Sequence, residues 1–281
     1  MRYTEGERGR TLQHYDLEPE IFELFLDPYM KYSSGLYLSG GESLAEAQVQ
    51  KMEFVARQLE IKGGERVLDM GCGWGSLLIF LAERYGCRGW GVTPAANQVE
   101  FLRRRASERG VSHLVTADVT HVQEATFPAE AFDAVTFLGS IVHMDDKAGI
   151  LRESYRLLQH GGRIYISETC FRNRSKFEEF TDRPSSVFVR EEVFGWGSLV
   201  PVSEIIAALE DAGFSLVGLT DLTRHYHRTI EHWMENINKN RARLEAIRPS
   251  VVDKLLRLFE VANAGWGFTA KHYAVVAAKK R

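Results

Sequence analysis

The chain is poor in cysteine. Its 281 residues hold three, Cys72, Cys87 and Cys170, with no CxxC pair and no His/Cys cluster at metal spacing. That scarcity argues against a disulfide framework and a structural zinc site, and fits a reducing cytoplasm. A basic excess is also missing: a formal charge of −3 offers little to neutralise phosphates, so nucleic acid is not the favoured partner. No stretch approaches the roughly 18 consecutive apolar residues of a membrane span, and residues 1–8, MRYTEGER, carry none of the apolar core of a signal peptide. The expectation is a cytoplasmic protein without integral membrane association, which would meet even a lipid from the water side. Internal repeats and low-complexity segments are absent, and oligomeric state leaves no mark. What is present is an ordinary globular composition, 44% hydrophobic and 26% charged, in a chain long enough to bury a real core.

Periodicity divides the chain into four stretches. Residues 1–60 read as a helical N-terminal cap, with apolar residues at three- and four-residue steps over 20–26 and 43–59. Between these helices lies a tyrosine-rich loop, DPYMKYSSGLY at 27–37, whose rings either line a pocket or pack into the core. Residues 61–168 alternate short apolar runs at 66–68, 88–92, 114–116 and 132–137 with amphipathic helices at 77–85, 95–107 and 148–158. Gly161-Gly162 is expected to end the last of these helices and lead into a strand over 163–168. Repeated strand–helix units imply a parallel sheet covered on both faces. Residues 169–200, charged, aromatic and weakly periodic, read as a lid insertion. Residues 201–281 complete the core, with a helix over 202–212 stopped by Gly213, a strand over 215–222, two helices around Pro249 within 229–259 and a last strand over 272–278.

The chemistry-bearing motif is Val67-Leu68-Asp69-Met70-Gly71-Cys72-Gly73-Trp74-Gly75. Clustered glycines between an apolar strand and an amphipathic helix let backbone approach a nucleotide-like ligand closely. The spacing departs from the dinucleotide fingerprint, because the third glycine comes one residue early and an acid precedes the first by two. Asp69 is suited to orient the turn or to reach the amino group of a sulfonium amino acid; the plain alternative is a tight turn without ligand. Two further strand ends agree with a nucleoside across the carboxyl edge of the sheet. Thr93, with Gln98 one helical turn on, stands where an acid commonly grips ribose hydroxyls. Asp118, followed by Val119, is placed to accept from an adenine amino group, or else serves as a turn residue.

The resemblance that these segments carry is specific. His14-Tyr15-Asp16-Leu17, Leu24-Phe25-Leu26-Asp27-Pro28, Tyr32-Ser33, the glycine-rich turn, Gly91-Val92-Thr93 with Gln98, and His225-Tyr226 with Arg228-Thr229 run in order over nearly the whole chain. Together they resemble the cyclopropane fatty acid and mycolic acid cyclopropane synthases, a family of S-adenosylmethionine-dependent methyltransferases. The resemblance implies an α/β class I (Rossmann-like) fold with a seven-stranded, mostly parallel sheet, a helical N-terminal cap and a lid insertion. It implies S-adenosylmethionine as methyl donor, Gln98 on the ribose side and Tyr32-Ser33 over the methionine end. The expected donor-binding set is Tyr32, Ser33, Asp69, Gly71, Cys72, Gly73, Thr93, Gln98, Asp118 and Val119, with no metal site. N-terminal helices and a late insertion would enclose a greasy acceptor pocket.

The chain also departs from that family. Members that build cyclopropanes on lipids resemble one another in a bicarbonate-binding set: a Cys after the Tyr-Ser pair, a Glu-His pair after the fourth strand, a His ending the fifth and a Tyr beside the late His. Here the positions read Ser34, Val142 with His143, Ser167 and Tyr226. Losing Cys, Glu and His together puts a bicarbonate base in doubt. A new acid, Glu168, follows Ser167 and is the candidate replacement base; it could instead face solvent or pair with Arg172 or Arg174. His143 either lines the pocket or caps a helix beginning near Asp145. The expected catalytic set is therefore Glu168, His143 and Tyr226, with the faces of Tyr32, Tyr226 or Trp196 available to a carbocation. The expected reaction is methyl transfer to a hydrophobic small-molecule or lipid-like acceptor in specialised metabolism, by C-methylation or cyclopropane formation. The alternatives are N-methylation of a hydrophobic amine, and a non-catalytic protein that only binds the donor.

Overall fold

The computed structural model describes residues 17–188 and 197–280; His14, Tyr15, Asp16 and Trp196 lie outside them. Within the described residues, seven strands form one sheet in the order β3-β2-β1-β4-β5-β7-β6. These are β1 (Arg66–Met70), β2 (Arg88–Thr93), β3 (Val115–Val119), β4 (Phe132–Leu138), β5 (Leu158–Phe171), β6 (Ser215–Asp221) and β7 (Ala270–Ala278). Strand β1 pairs in parallel with both β2 and β4, β2 with β3, and β4 with β5; β6 and β7 pair antiparallel. The order reverses at β1 and β4, the switch point beside which open α/β sheets bind ligands at the carboxyl ends of their strands.

The helices are α1 (Pro19–Glu23), α2 (Leu44–Gln58), α3 (Ser76–Tyr85), α4 (Ala96–Glu108), α5 (Lys147–Leu157), α6 (Arg174–Phe180), α7 (Pro184–Phe188), α8 (Val202–Asp211), α9 (Thr223–Lys239), α10 (Arg241–Ile247) and α11 (Val251–Ala264). The chain gathers into two compact units. A sheet unit lies within Met52–Glu168, Val202–Asp221 and Tyr273–Arg281, and a helical unit within Met1–Lys51, Thr169–Pro201 and Leu222–His272.

The sheet unit is built on strands that are apolar on both faces. Val67 and Leu68 of β1, Val135 and Phe137 of β4 and Ile164 and Ile166 of β5 are fully buried, as are Leu77, Leu78 and Leu81 of α3. Each such side chain stabilises the fold by about 1.5–3 kcal/mol. Helix α3 stops at Gly86, whose left-handed backbone lets its N–H reach Ala82 O.

Two sequence expectations need correction. Gly161-Gly162 does not end α5: that helix stops at Leu157 and β5 begins at Leu158. The glycines belong to the sheet because Gly161 N–H donates to Lys279 O at 2.8 Å and Lys279 N–H returns to Gly162 O at 2.9 Å. The late helical segment holds three helices, not two around Pro249, and begins at Thr223 instead of Thr229. Its first turns bury Thr223, His225 and Thr229 alongside Ile230 and Trp233, so the inward stripe opens on polar residues that an apolar period does not register. The additional break falls at Asn240, whose side-chain amide donates to Leu24 O at 2.8 Å and Asn236 O at 3.1 Å.

In the helical unit, Glu42 closes the turn before α2 by accepting from Ser39 N at 2.7 Å and Gly40 N at 2.8 Å. Those amides hold its carboxyl down at about 2, against an ordinary value of 4.5. A depressed carboxyl stabilises the fold above its unfolded pKa, and that contribution is lost as pH falls through the folded value. Thermal melts should therefore lose stability between about pH 4.5 and about pH 2, and Glu42→Gln should remove this part of the slope while costing stability at neutral pH. Parallel slopes for the two proteins would refute the assignment.

Candidate active site

The glycine-rich turn joins the end of β1 to α3. Gly71, Gly73 and Gly75 have φ of +86°, +53° and +78°, a region that side chains with a Cβ rarely enter. Gly71 N–H and Cys72 N–H both donate to Val92 O, at 2.9 and 3.1 Å, which ties the turn to β2. A Cβ on Gly71 would lie 2.4 Å from Ser140 Cβ, whereas one on Gly73 would meet no atom within 4 Å among the described residues. The backbone at Gly73 is thus open to close approach by a ligand. Buried Asp69 accepts from Thr136 Oγ1 at 2.7 Å, which fixes the acid's orientation on β1.

The neighbouring strand ends continue this edge. Thr93 Oγ1 donates to Gln98 Oε1 at 2.7 Å, with both residues buried. The glutamine carbonyl accepts there, and its amide nitrogen has two N–H donors that suit a pair of hydroxyls. Asp118 Oδ2 accepts from Trp90 Nε1 at 2.9 Å; a carboxylate retains further lone pairs for an exocyclic amino group. Val119, exposed beside it, pairs in register with Thr93, and Asp118 with Val92.

On the other side of β1, Glu168 of β5 is buried, which excludes the solvent-facing alternative, and its Oε2 accepts from Val142 N at 3.1 Å. Val142 and half-buried His143 belong to a short 3-10 turn, Ile141–His143, after β4. His143 does not cap the next helix: Asp146 does, accepting from Gly149 N at 2.8 Å. The sheet unit therefore brings Asp69, Gly71, Cys72, Gly73, Thr93, Gln98, Asp118, Val119, His143 and Glu168 to the carboxyl edge of its parallel strands.

The helical unit contains Tyr32, Ser33 and Tyr226. The tyrosine-rich loop is largely buried, and Tyr32 packs against Phe22, Phe25 and Trp233 with ring centroids 5.4, 6.0 and 5.0 Å away. Tyr226 meets the same Trp233 at 6.0 Å, Trp266 at 5.0 Å and His272 at 4.7 Å. Buried His272 also places Nδ1 3.3 Å from Thr169 Oγ1. The segment around Tyr226 holds the loop as well: His225 Nδ1 accepts from Tyr37 N at 3.2 Å, and Thr229 Oγ1 accepts from Gly35 N at 2.9 Å. Ser34, at a position where the family resemblance places Cys, is buried and donates to Gly35 O.

Several residues around the site are not legible in the sequence. Ser140, which packs on Gly71 and donates to Met70 O, and Thr136, the partner of Asp69, are apart from the motif in sequence and stand out by nothing in it. Trp90 carried a weak signal as an aromatic in a glycine-flanked strand. The buried pair Gln48 and Lys51 was hidden within a helical pattern, although polar residues on an inward stripe are such a signal. Cys87, pushed up to about 12 by burial and by the Glu65 carboxylate, is an inert thiol. Among the described residues no three His, Cys, Asp or Glu side chains are grouped to hold a metal ion, and no helix is long and apolar enough to cross a membrane.

Comparison with known proteins bears on the family and the fold. The profile of the mycolic acid cyclopropane synthetase family matches residues 4–276. The chain is 28% identical over 265 residues to a probable fatty acid methyltransferase of Pseudomonas putida, covering 91% of this chain and 64% of that protein. It is 29% identical over 255 residues to sphingolipid C9-methyltransferase 1 of Gibberella zeae, covering 88% of this chain and 48% of that protein. The chain thus spans between 48% and 64% of the length of these two curated relatives. Among solved structures, the cyclopropane synthase MmaA2 from Mycobacterium tuberculosis superposes with a TM-score of 0.86 at 22% identity, over 98% of this chain and 99% of that one, a likeness of fold.

Proposed function

The chain belongs to the mycolic acid cyclopropane synthetase family, and from that membership we propose that it transfers a methyl group from S-adenosylmethionine to carbon of a hydrophobic, lipid-like acceptor. The donor supplies an already activated sulfonium methyl. The residues present fit such a donor. Gly73 offers open backbone in a turn that Gly71 and Cys72 tie to Val92 O beside fixed Asp69, and Gln98 presents its amide to the ribose. Asp118 takes the adenine amino group with Val119 against the base; the methionine end is assigned to Tyr32 and Ser33 by the family resemblance alone.

The chain's contribution to chemistry is alignment, exclusion of water and removal of one proton. Methylation of an alkene or an electron-rich ring leaves a carbocation on the acceptor, which the faces of Tyr226 and Tyr32 stabilise. Glu168, or His143 beside its anchoring turn, then accepts the proton. Loss of that proton from the new methyl closes a cyclopropane; loss from a neighbouring carbon leaves a methylated product. The single observation that carries carbon chemistry is the buried carboxylate of Glu168 on the Val142 amide, which supplies a base where the bicarbonate set is incomplete. The names of the two relatives, a probable fatty acid methyltransferase and a sphingolipid C9-methyltransferase, support an acyl-chain acceptor. A specialised metabolite with such a chain fits the altered set.

Full-length protein incubated with S-adenosylmethionine and a panel of dispersed monounsaturated acyl lipids is expected to form S-adenosylhomocysteine in proportion to acceptor, with one carbon gained by the lipid. Tight binding of S-adenosylhomocysteine with no turnover across lipophilic acceptors would overturn the proposal in favour of a donor-binding protein.

A further inference from the structure

Two buried polar side chains of the helical unit, Lys51 and Gln48, converge on one buried serine. Lys51 Nζ donates to Ser33 Oγ at 2.8 Å, and Gln48, one turn earlier on α2, donates from Nε2 to Ser33 O at 2.7 Å and to Lys31 O at 3.4 Å. Ser33, Gln48 and Lys51 are each at most 2% exposed. A lysine so deeply buried is rare and costly unless its charge is compensated. Asp27, also buried in this unit, interacts favourably with that charge, although burial still raises its carboxyl above the ordinary value.

The bonding pattern has a direction. An ammonium group only donates, so Ser33 Oγ is the acceptor of the Lys51 bond and its own hydrogen is left to donate elsewhere. The neighbouring positive charge polarises that O–H and strengthens any bond it makes to an anion. Gln48 Oε1, buried in the same cluster, has no hydrogen-bond partner among the described residues. The cluster thus keeps a charge-strengthened donor and an acceptor, the complement of an amino-acid zwitterion.

We propose that Lys51 is a positioning residue that acts through Ser33, charging the serine hydroxyl to hold the α-carboxylate of the donor's methionine portion. The proposal rests on the proposed function's assignment of Ser33 to the methionine end, which the family resemblance implies. It is tested by calorimetric titration of the full chain with S-adenosylhomocysteine and with 5′-methylthioadenosine, which keeps the adenosine thioether but lacks the amino acid. Lys51→Met, which preserves length and removes charge, is expected to weaken S-adenosylhomocysteine by about tenfold to a hundredfold and to leave 5′-methylthioadenosine within about twofold. Ser33→Ala should show the same selectivity, and the double variant should be no worse than the more damaging single one.

Equal weakening of both ligands by Lys51→Met, no weakening of either, or additive losses in the double variant would overturn the role of Lys51. Ser33→Ala with unchanged affinity for S-adenosylhomocysteine would instead remove the premise about Ser33, and the proposal with it. If Lys51→Met does not fold, Lys51→Gln, which keeps a donor without the charge, reads the same ratio.

Discussion

Gly71→Ala is expected to weaken S-adenosylhomocysteine binding by roughly a hundredfold or more while leaving a folded sheet unit. Two effects combine. Alanine at φ +86° carries a strain of about 1–2 kcal/mol. Its Cβ would also fall 2.4 Å from Ser140 Cβ and 2.9 Å from Ser140 Oγ, and Ser140 cannot simply swing away because its hydroxyl is bonded to Met70 O. The turn must shift, and its shift carries the Gly71 and Cys72 amides off Val92 O. Adding Ser140→Gly removes the clash but not the strain, so the double variant should regain part of the affinity. Gly110→Ala is the control, since Gly110 has φ +71° but open space around its Cβ position. It should lower the melting temperature by strain alone and leave ligand affinity unchanged. Titration calorimetry of the four proteins separates these outcomes; unchanged affinity in Gly71→Ala would show that the turn does not hold the donor.

Glu168→Gln should reduce turnover by roughly 10²–10⁴, the usual contribution of a general base, with affinity for S-adenosylhomocysteine within about twofold. The amide is nearly isosteric, and its carbonyl oxygen can still accept from Val142 N–H, so the turn bearing His143 should remain in place. What the amide cannot do is take a proton. Glu168→Asp, shorter but still basic, should retain more turnover than Glu168→Gln. Equal activity in wild type and Glu168→Gln would mark the carboxylate as structural and leave His143 as the base. Single-turnover rates and calorimetry on the same preparations distinguish loss of chemistry from loss of binding.

The central sheet was legible because its determinants are local. Apolar runs such as Arg66–Met70 and Phe132–Leu138 alternate with amphipathic helices, and the glycine cluster announces where β1 gives way to α3. Strand β5 misled at its start because Gly161-Gly162 is locally a helix stop, while its place in the ladder depends on Lys279, more than a hundred residues away. Helix α9 misled for a related reason: Thr223, His225 and Thr229 face inward to bond distant backbone, so polarity on the inner stripe masks its beginning. Thr93 with Gln98 was expected as a ribose-side pair, but the bond between them is a matter of geometry. Thr136 and Ser140 were invisible as site residues because their roles arise only when β4 and the loop after it lie beside β1.

The most direct test uses S-adenosylmethionine carrying a fully deuterated methyl group, with mass and fragmentation analysis of the lipid product. The account predicts a label bonded to acceptor carbon: three deuteriums if a neighbouring carbon loses the proton, two if the new methyl closes a cyclopropane. Label on nitrogen, or an acceptor left unlabelled while the donor is consumed, would contradict it.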